Sequence, residues 1–429
     1  MTHTRLLLVV TGFLCAVVLP SVASGISRHV KGFTLTEIGT HVYDASLDPR
    51  YPTEAQIVVD RLFDLGVRHV ILSPRAVMRN PRGSTVEFHT TPQNQPIERL
   101  RYLRLIRHLH EKGMTVGMRP IVMVVDANGH SPSVEILPNG TSKVWWHGII
   151  QPQNPELWFQ SFEIYLAHYA DIAREAGIEE FTLGAELQSM TVGLGEAWPQ
   201  YPDGFADRFT SLTERLRRFL GNGCRLMYDI NDANANVLLG GHVYNGGEMA
   251  VWNYYVNVLA NSVDPLQIQR RKALVNFLRT LDGVGFDVYQ SLAGPTEILP
   301  TDYPALVERL QSRSDQMLRQ IEVFSAGIET QVGSPKIFLI KEVGYKSVER
   351  GFVSPFEFAG AGNLNLEHQA AAYDALFRSI TARQTPHLSG LSLWDASVDL
   401  VRQGPLDLGF SPLGKRHSEA LLFAFFRDY

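Results

Sequence analysis

Two hydrophobic patterns alternate along the chain. Short apolar runs rich in β-forming residues occur at Thr34 to Gly39, His69 to Ser73, Thr115 to Val124, Glu180 to Gly184, Arg225 to Ile230, Gly283 to Val288, Ile337 to Ile340 and Leu388 to Leu393. Between them lie stretches whose apolar residues fall on one helical face: Glu54 to Leu65, Glu98 to Lys112, Pro155 to Ala176, Ala206 to Leu220, Ile268 to Leu281, Tyr303 to Ala326 and Leu366 to Ala382. Ser418 to Phe426 closes the chain in the same way. Eight strands, each followed by a helix, predict an α/β fold: a single-domain (β/α)8 TIM barrel.

The connections are asymmetric. Helix-to-strand links are short and carry glycine where a helix should stop, at Gly66, Gly113, Gly177 and Gly283. Strand-to-helix links are long and rich in Asn, Gly, Pro and aromatic residues. Barrel sites are built from the loops after the strands, so chemistry is expected on that C-terminal face. One large insertion, Asn231 to about Pro265, belongs to it.

Composition adds little beyond class. With 429 residues, 45% hydrophobic, 19% charged and a net charge of -5, the chain has material for one large core and no basic patch that would ask for nucleic acid or an anionic membrane. The N-terminus is more specific. Arg5 gives a positive start, Leu6 to Leu19 an apolar core and Val22-Ala23-Ser24 a small-residue cleavage site, so residues 1–24 read as a secretory signal peptide and 25–429 as the barrel. Short and followed by no stop-transfer charge cluster, this segment predicts export, to the periplasm or beyond, with an uncleaved anchor as the alternative and no other membrane segment. Cys15 lies within it, and Cys224 is then the one cysteine of the mature chain, so no disulfide framework is expected.

The candidate chemistry lies in two strands that end on a carboxylate. Phe181 to Ala185 is apolar or small apart from Thr182 and is followed by Glu186; Ile337 to Ile340 leads through Lys341 to Glu342. A carboxylate at the end of a buried strand is costly unless paired or used. The strands are the fourth and seventh of eight, which face each other across a barrel mouth. Glycoside hydrolysis needs one carboxyl to protonate the leaving oxygen and another at the anomeric carbon, and a separation of about 5 Å gives retention through a covalent intermediate. Strand alternation turns Lys341 toward the helix layer. Tyr289 is the candidate for keeping Glu342 ionised, and Glu186 is expected in a drier place where its pKa rises enough to donate a proton.

Other chemistries have weaker footing. His41, His89, His130 and His147, with Asp44 and Asp126, lie near predicted loops, but no pair has the close spacing on one strand that a barrel metal site uses. No phosphate-cradling glycine loop or nucleophile elbow occurs. No metal or other cofactor is expected. Trp145, Trp146, Trp158, Trp198, Tyr201, Trp252, Tyr254 and Tyr255 crowd the loop regions and would suit sugar stacking, although Trp158 shares an apolar helical face with Phe162 and reads as core.

These residues also carry a resemblance. The run Thr182 to Leu187, the run Ile340 to Tyr345, and Met118 to Val124 followed by Trp146 to Ile149 are similar to the barrel glycosidases of clan A, whose catalytic glutamates sit on strands four and seven. Within that clan the likeness is to glycoside hydrolase family 113, the β-mannanases. It extends to Gly66-Val67, Ser73-Pro74, Ser84-Thr85 before Thr91-Pro92, and Gly409 to Lys415, and so covers nearly the whole mature chain. The resemblance implies Glu186 as general acid/base and Glu342 as nucleophile. It also implies Tyr289 as a hydrogen-bond partner of that nucleophile, Trp394 as the floor of the sugar site and Trp146 as a cleft tryptophan. Arg119 and Asp287 fall within the matching motifs and are expected among the substrate-binding residues.

Two positions depart from the pattern. The clan commonly has Asn before the acid/base, contacting the 2-hydroxyl of the sugar; this chain has Ala185. Ile121 stands where a polar sugar-contacting residue would be expected. Both bear on the mannan assignment more than on the glycosidase assignment. The expected activity is retaining hydrolysis of a β-linked polysaccharide, β-1,4-mannan or glucomannan. A glycosidase for a different bacterial exopolysaccharide and a non-catalytic carbohydrate-binding barrel are the alternatives.

Overall fold

The structure, a computed structural model, describes residues 30–36, 50, 52–126, 128–357, 362–382 and 385–428. The signal-peptide segment, residues 37–39 of the first expected strand, His41 and Asp44 lie outside them.

Eight parallel strands close into a barrel: β1 (Val30–Thr36), β2 (His69–Leu72), β3 (Thr115–Met118), β4 (Glu180–Ala185), β5 (Arg225–Ala233), β6 (Gly283–Tyr289), β7 (Ile337–Val343) and β8 (Leu388–Ser397). Each pairs with its neighbours in sequence, and β1 pairs with β8 to complete the circle. The helices that follow them are α1 (Glu54–Asp64), α2 (Gln95–Glu111), α3 (Pro155–Ala176), α4 (Ala206–Leu220), α5 (Pro265–Thr280), α6 (Tyr303–Val332), α7 (Leu366–Ala382) and α8 (Arg416–Asp428). The apolar faces read from the sequence pack against the barrel wall, and Trp158 stacks on Phe162 within that layer. Gly177 ends α3 in the left-handed conformation, where a residue with a Cβ would be strained. Among the described residues no helix is long and apolar enough to cross a membrane.

One expected strand is divided. The apolar run from Thr115 to Val124 leaves the barrel at Met118 because Pro120 has no N–H for a ladder, and it resumes at Ile121–Val124. There it pairs in parallel with Arg75–Met78, which follows Pro74 in the same way after β2. Glu87–Phe88 adds an antiparallel edge. The Tyr165 hydroxyl holds the two departing chains together through the carbonyls of Pro74 (2.7 Å) and Ile121 (3.2 Å).

The insertion after β5 lies on the C-terminal side, as expected. It forms a hairpin, Asn236–Leu239 with His242–Asn245, and a helix, Gly247–Val256, that packs against β5.

The barrel interior is polar. Lys341 does not face the helix layer: it is buried inside the barrel, bonded to Glu180 and 3.2 Å from the Thr182 hydroxyl. The alternation fails because β7 carries an irregularity there, with Phe286 opposite Ile340 but Asp287 opposite Glu342, so the extra residue brings Lys341 and Glu342 to one side. A Cβ at Gly285 would overlap both Asp229 and Lys341, so glycine makes room for the charged layer.

Candidate active site

Strand register brings the candidate residues together. Asn231 on β5 is level with Asp287 on β6, and Asp287 with Glu342 on β7. Asp229 and Asn231 share one face of β5, as Asp287 and Tyr289 share one face of β6, because side chains two apart point the same way. All turn inward.

Arg119, the first residue after β3, reaches across the interior. Its Nε donates to Asp229 (2.7 Å), while its two terminal nitrogens donate to Asp287 and Glu342. Arg119 is 2% exposed and Asp287 fully buried. Both were expected to contact substrate. In the structure both are buried, and Arg119 bonds both Asp287 and Glu342. The Tyr289 hydroxyl donates to the other oxygen of Glu342 at 2.6 Å.

Glu186 is mounted differently. It is the first residue beyond β4 and has φ 53°, a left-handed conformation that costs a non-glycine residue about 1 kcal/mol. Its backbone N–H donates to the Asp229 carbonyl (2.8 Å). Its carboxylate accepts from Asn231 Nδ2 (2.6 Å) and from His147 Nε2 (2.8 Å). Its two side-chain partners are therefore uncharged or titratable, whereas Glu342 has a guanidinium.

The proton balance differs from the sequence expectation. Burial pushes Glu186 up, but hydrogen bonds from His147 and Asn231 and the charge of Arg119 outweigh it, and its pKa ends below the usual glutamate value. Burial also raises Glu342; Arg119 and Tyr289 offset only part of this, the charge of Glu186 adds to it, and Glu342 ends above the usual value. Asp287 and Asp229 are raised too, chiefly by burial, which Arg119, and at Asp229 also Lys341, offset only in part.

The aromatic expectation needs correction as well. Trp145, Trp158 and Trp252 are fully buried, and Trp198 and Tyr255 nearly so, so none is a sugar platform. Half-buried Trp146 packs edge-on against His147, and Trp394 lies near the end of β8, 8% exposed. Of the histidines weighed for a metal, His147 serves Glu186 and His130 closes an exposed turn around Asp126. Among the described residues no three His, Cys, Asp or Glu side chains are grouped to hold a metal ion. The sequence reading missed Asp229 and Asn231 and gave His147 no place beside Glu186. The first two could have been found by the argument that found Glu186, since polar residues two apart in a buried strand need a use.

Comparison with known proteins agrees with this architecture. A family model described as Glycoside Hydrolase Family 113 matches residues 50–200. A β-mannanase of that family from Alicyclobacillus acidocaldarius, solved with ManMIm, superposes with TM-score 0.61 at 18% identity, covering 92% of this chain and 97% of its own. The complex structure of another family 113 β-1,4-mannanase gives 0.59 at 17% identity, covering 94% and 99%. A family 5 mannosidase from Rhizomucor miehei gives 0.50 at 10% identity, covering 94% and 96%. Among curated proteins no sequence matches the chain. The family match and the closed barrel make the chain a glycoside hydrolase. Within that class it is similar to family 113, and the matching part of the sequence runs from before α1 through β4 and Glu186.

Proposed function

We propose that the protein is a retaining glycosidase for a β-linked polysaccharide, β-1,4-mannan or glucomannan, with Glu342 as nucleophile and Glu186 as acid/base. The observation that carries this reading is the pair itself: two buried glutamates, on β7 and just beyond β4, with Glu342 feeling the charge of Glu186. The family 113 match supports the mannan assignment.

In the first step the Glu342 carboxylate bonds to the anomeric carbon while protonated Glu186 gives its proton to the departing glycosidic oxygen. In the second, water loses a proton to Glu186 and its oxygen displaces Glu342, restoring the free carboxylate. The pair must therefore carry its proton on Glu186 when the bond breaks. A glycosidic oxygen that takes the place of His147 beside Glu186 removes a donor that favours the ionised form and moves the balance that way. Arg119 and Tyr289 stabilise the carboxylate that Glu342 becomes.

A different exopolysaccharide is the second reading, favoured by Ala185, which offers no amide to a sugar hydroxyl. The N-terminal pattern over residues 1–24 supports a site of action outside the cytoplasm. Product release from β-mannan, glucomannan, cellulose, xylan and bacterial exopolysaccharides decides the substrate. Trapping with a 2-fluoro glycoside decides the mechanism: a mass increase on the Glu342 peptide is expected, and a label elsewhere would remove that assignment. Sugar binding with no hydrolysis of any glycan would leave a carbohydrate-binding barrel.

A further inference from the structure

The insertion after β5 carries a buried acid that the two-step reaction does not use. Glu248, in the first turn of the Gly247–Val256 helix, is 1% exposed. Its position is explained by the way β4 ends. After Ala185 the chain turns at Glu186 into the left-handed conformation and runs away from β5, so the N–H of Asn231 on β5 has no strand beside it to accept its bond. Glu248 Oε2 accepts that bond at 3.2 Å. Its other oxygen is 3.1 Å from the Tyr228 hydroxyl and 3.0 Å from Trp252 Nε1. Tyr228 in turn accepts the N–H of Leu187 at 3.0 Å and contacts Thr191 Oγ1 at 3.1 Å. Glu248 thus touches two of the residues that fix Glu186: Asn231, whose amide holds the carboxylate, and Tyr228, which anchors the next peptide.

We propose that Glu248 is a positioning residue for Glu186, filling the place left by the departing end of β4, and that this is one task of the insertion. The proposal rests on the reading of Glu186 as the acid/base. Burial and the neighbouring charge of Glu186 lean Glu248 toward its neutral form, against the three hydrogen bonds it accepts. No cation faces it: from α5, Arg271 donates to the Val256 carbonyl and to Gln331 of α6, and Arg270 lies over the Tyr255 ring with Asp203 as its partner. On β5, Asp232 is taken by Gln290. The remaining titratable neighbours are Tyr228 and Glu186, and the negative charge of Glu186 opposes a second one. Burial, with that charge, lifts the Glu248 carboxyl to about 8.

The test compares wild type, E248Q and E248A on the glycan that wild type hydrolyses. E248A is expected to lose about 10- to 100-fold in kcat with KM little changed, the range that a small misplacement of a reacting group produces. E248Q, whose amide oxygen can still accept the Asn231 N–H but whose NH2 then faces the donor-only Trp252 Nε1–H, should recover part of that loss. Equal loss in both variants, or wild-type kcat and pH profile in E248A, overturns the proposal. Carboxyl 13C titration of Glu186 is a readout independent of turnover. A shifted titration in E248A that returns in E248Q supports the role, and an unchanged one in E248A overturns it. If wild type hydrolyses no glycan at all, the glycosidase reading fails by itself, and the Glu186 titration still decides the part played by Glu248.

Discussion

Glu342 and Glu186 both end apolar strands, yet the protein holds them by different means. Glu342 is a residue of β7 itself, fixed from below by Arg119 and from the side by Tyr289 on the neighbouring strand. Glu186 lies past the end of β4 and is fixed by His147 from the β3–α3 connection and by Asn231, with Glu248 of the insertion behind it. The first mount belongs to the barrel and is ionic; the second draws on the loops and uses neutral or titratable donors. Substitutions near Glu342 should therefore cost fold and activity together, and substitutions near Glu186 should chiefly change the pH profile.

The largest expected effect separates the two glutamates. E342Q should lower kcat by about 10^4-fold or more while sugar binding by calorimetry is retained. E186Q should show a comparable loss on polysaccharide but a much smaller one in the glycosylation step with an activated aryl glycoside, whose leaving group needs no proton. Equal glycosylation rates for the two variants on that substrate would erase the distinction.

Next comes the ionic mount. R119M leaves Asp229, Asp287 and Glu342 without their cation and should destabilise the fold by about 3–5 kcal/mol, read from urea unfolding. A smaller loss would mean that the three carboxyls carry their own protons and need no counter-charge.

A third prediction reaches the deeper charged layer. Burial lowers His69 to about 4, with the charges of Lys341 and Arg225 outweighed in part by Glu180. Unfolded histidine titrates near 6.5, so between pH 6.5 and 4 the unfolded chain binds the proton and the folded one does not; stability falls as pH drops through that window, by about 3 kcal/mol for this group. The difference in unfolding free energy between wild type and H69N should change by about that amount from pH 7 to 4, and a flat difference would exclude His69 as the origin.

The smallest effect is the most specific to the loop mount. His147 donates to Glu186 and favours its ionised form. H147F should raise the pKa of Glu186 and move the alkaline limb of kcat/KM to higher pH, with unfolding stability little changed. A shift to lower pH would reverse the role given to His147.

Much of the frame was legible in the sequence because each level agreed with the next. All eight strand regions and all eight helical stretches were found, and the two glutamates stood out because a carboxylate at the end of a buried run is conspicuous. What was not legible depends on register. Lys341 turns inward at an irregularity that no alternation rule foretells, and the break in Thr115 to Val124 went unread although Pro120 lies within the run. Asn231 and His147 act on Glu186 from 45 and 39 positions away, a juxtaposition that exists only in the closed barrel. The aromatics were placed by composition in loop regions, and several of them are core because Trp158, Trp252 and Tyr255 lie on the buried faces of helices.

Arg119 has a consequence for how the molecule is assembled. Its three carboxylate partners lie 110, 168 and 223 positions further along the chain, on β5, β6 and β7. Contacts this distant pay their loop-closure entropy before they return any stability, and they form late. A fragment ending before β7 has no Glu342 to give the guanidinium, and one beginning after β3 has no guanidinium to give. During refolding, recovery of activity should follow the slowest tertiary signal and not the earlier return of helical circular dichroism. The same arginine that holds Glu342 thus makes hydrolysis a reporter of barrel closure.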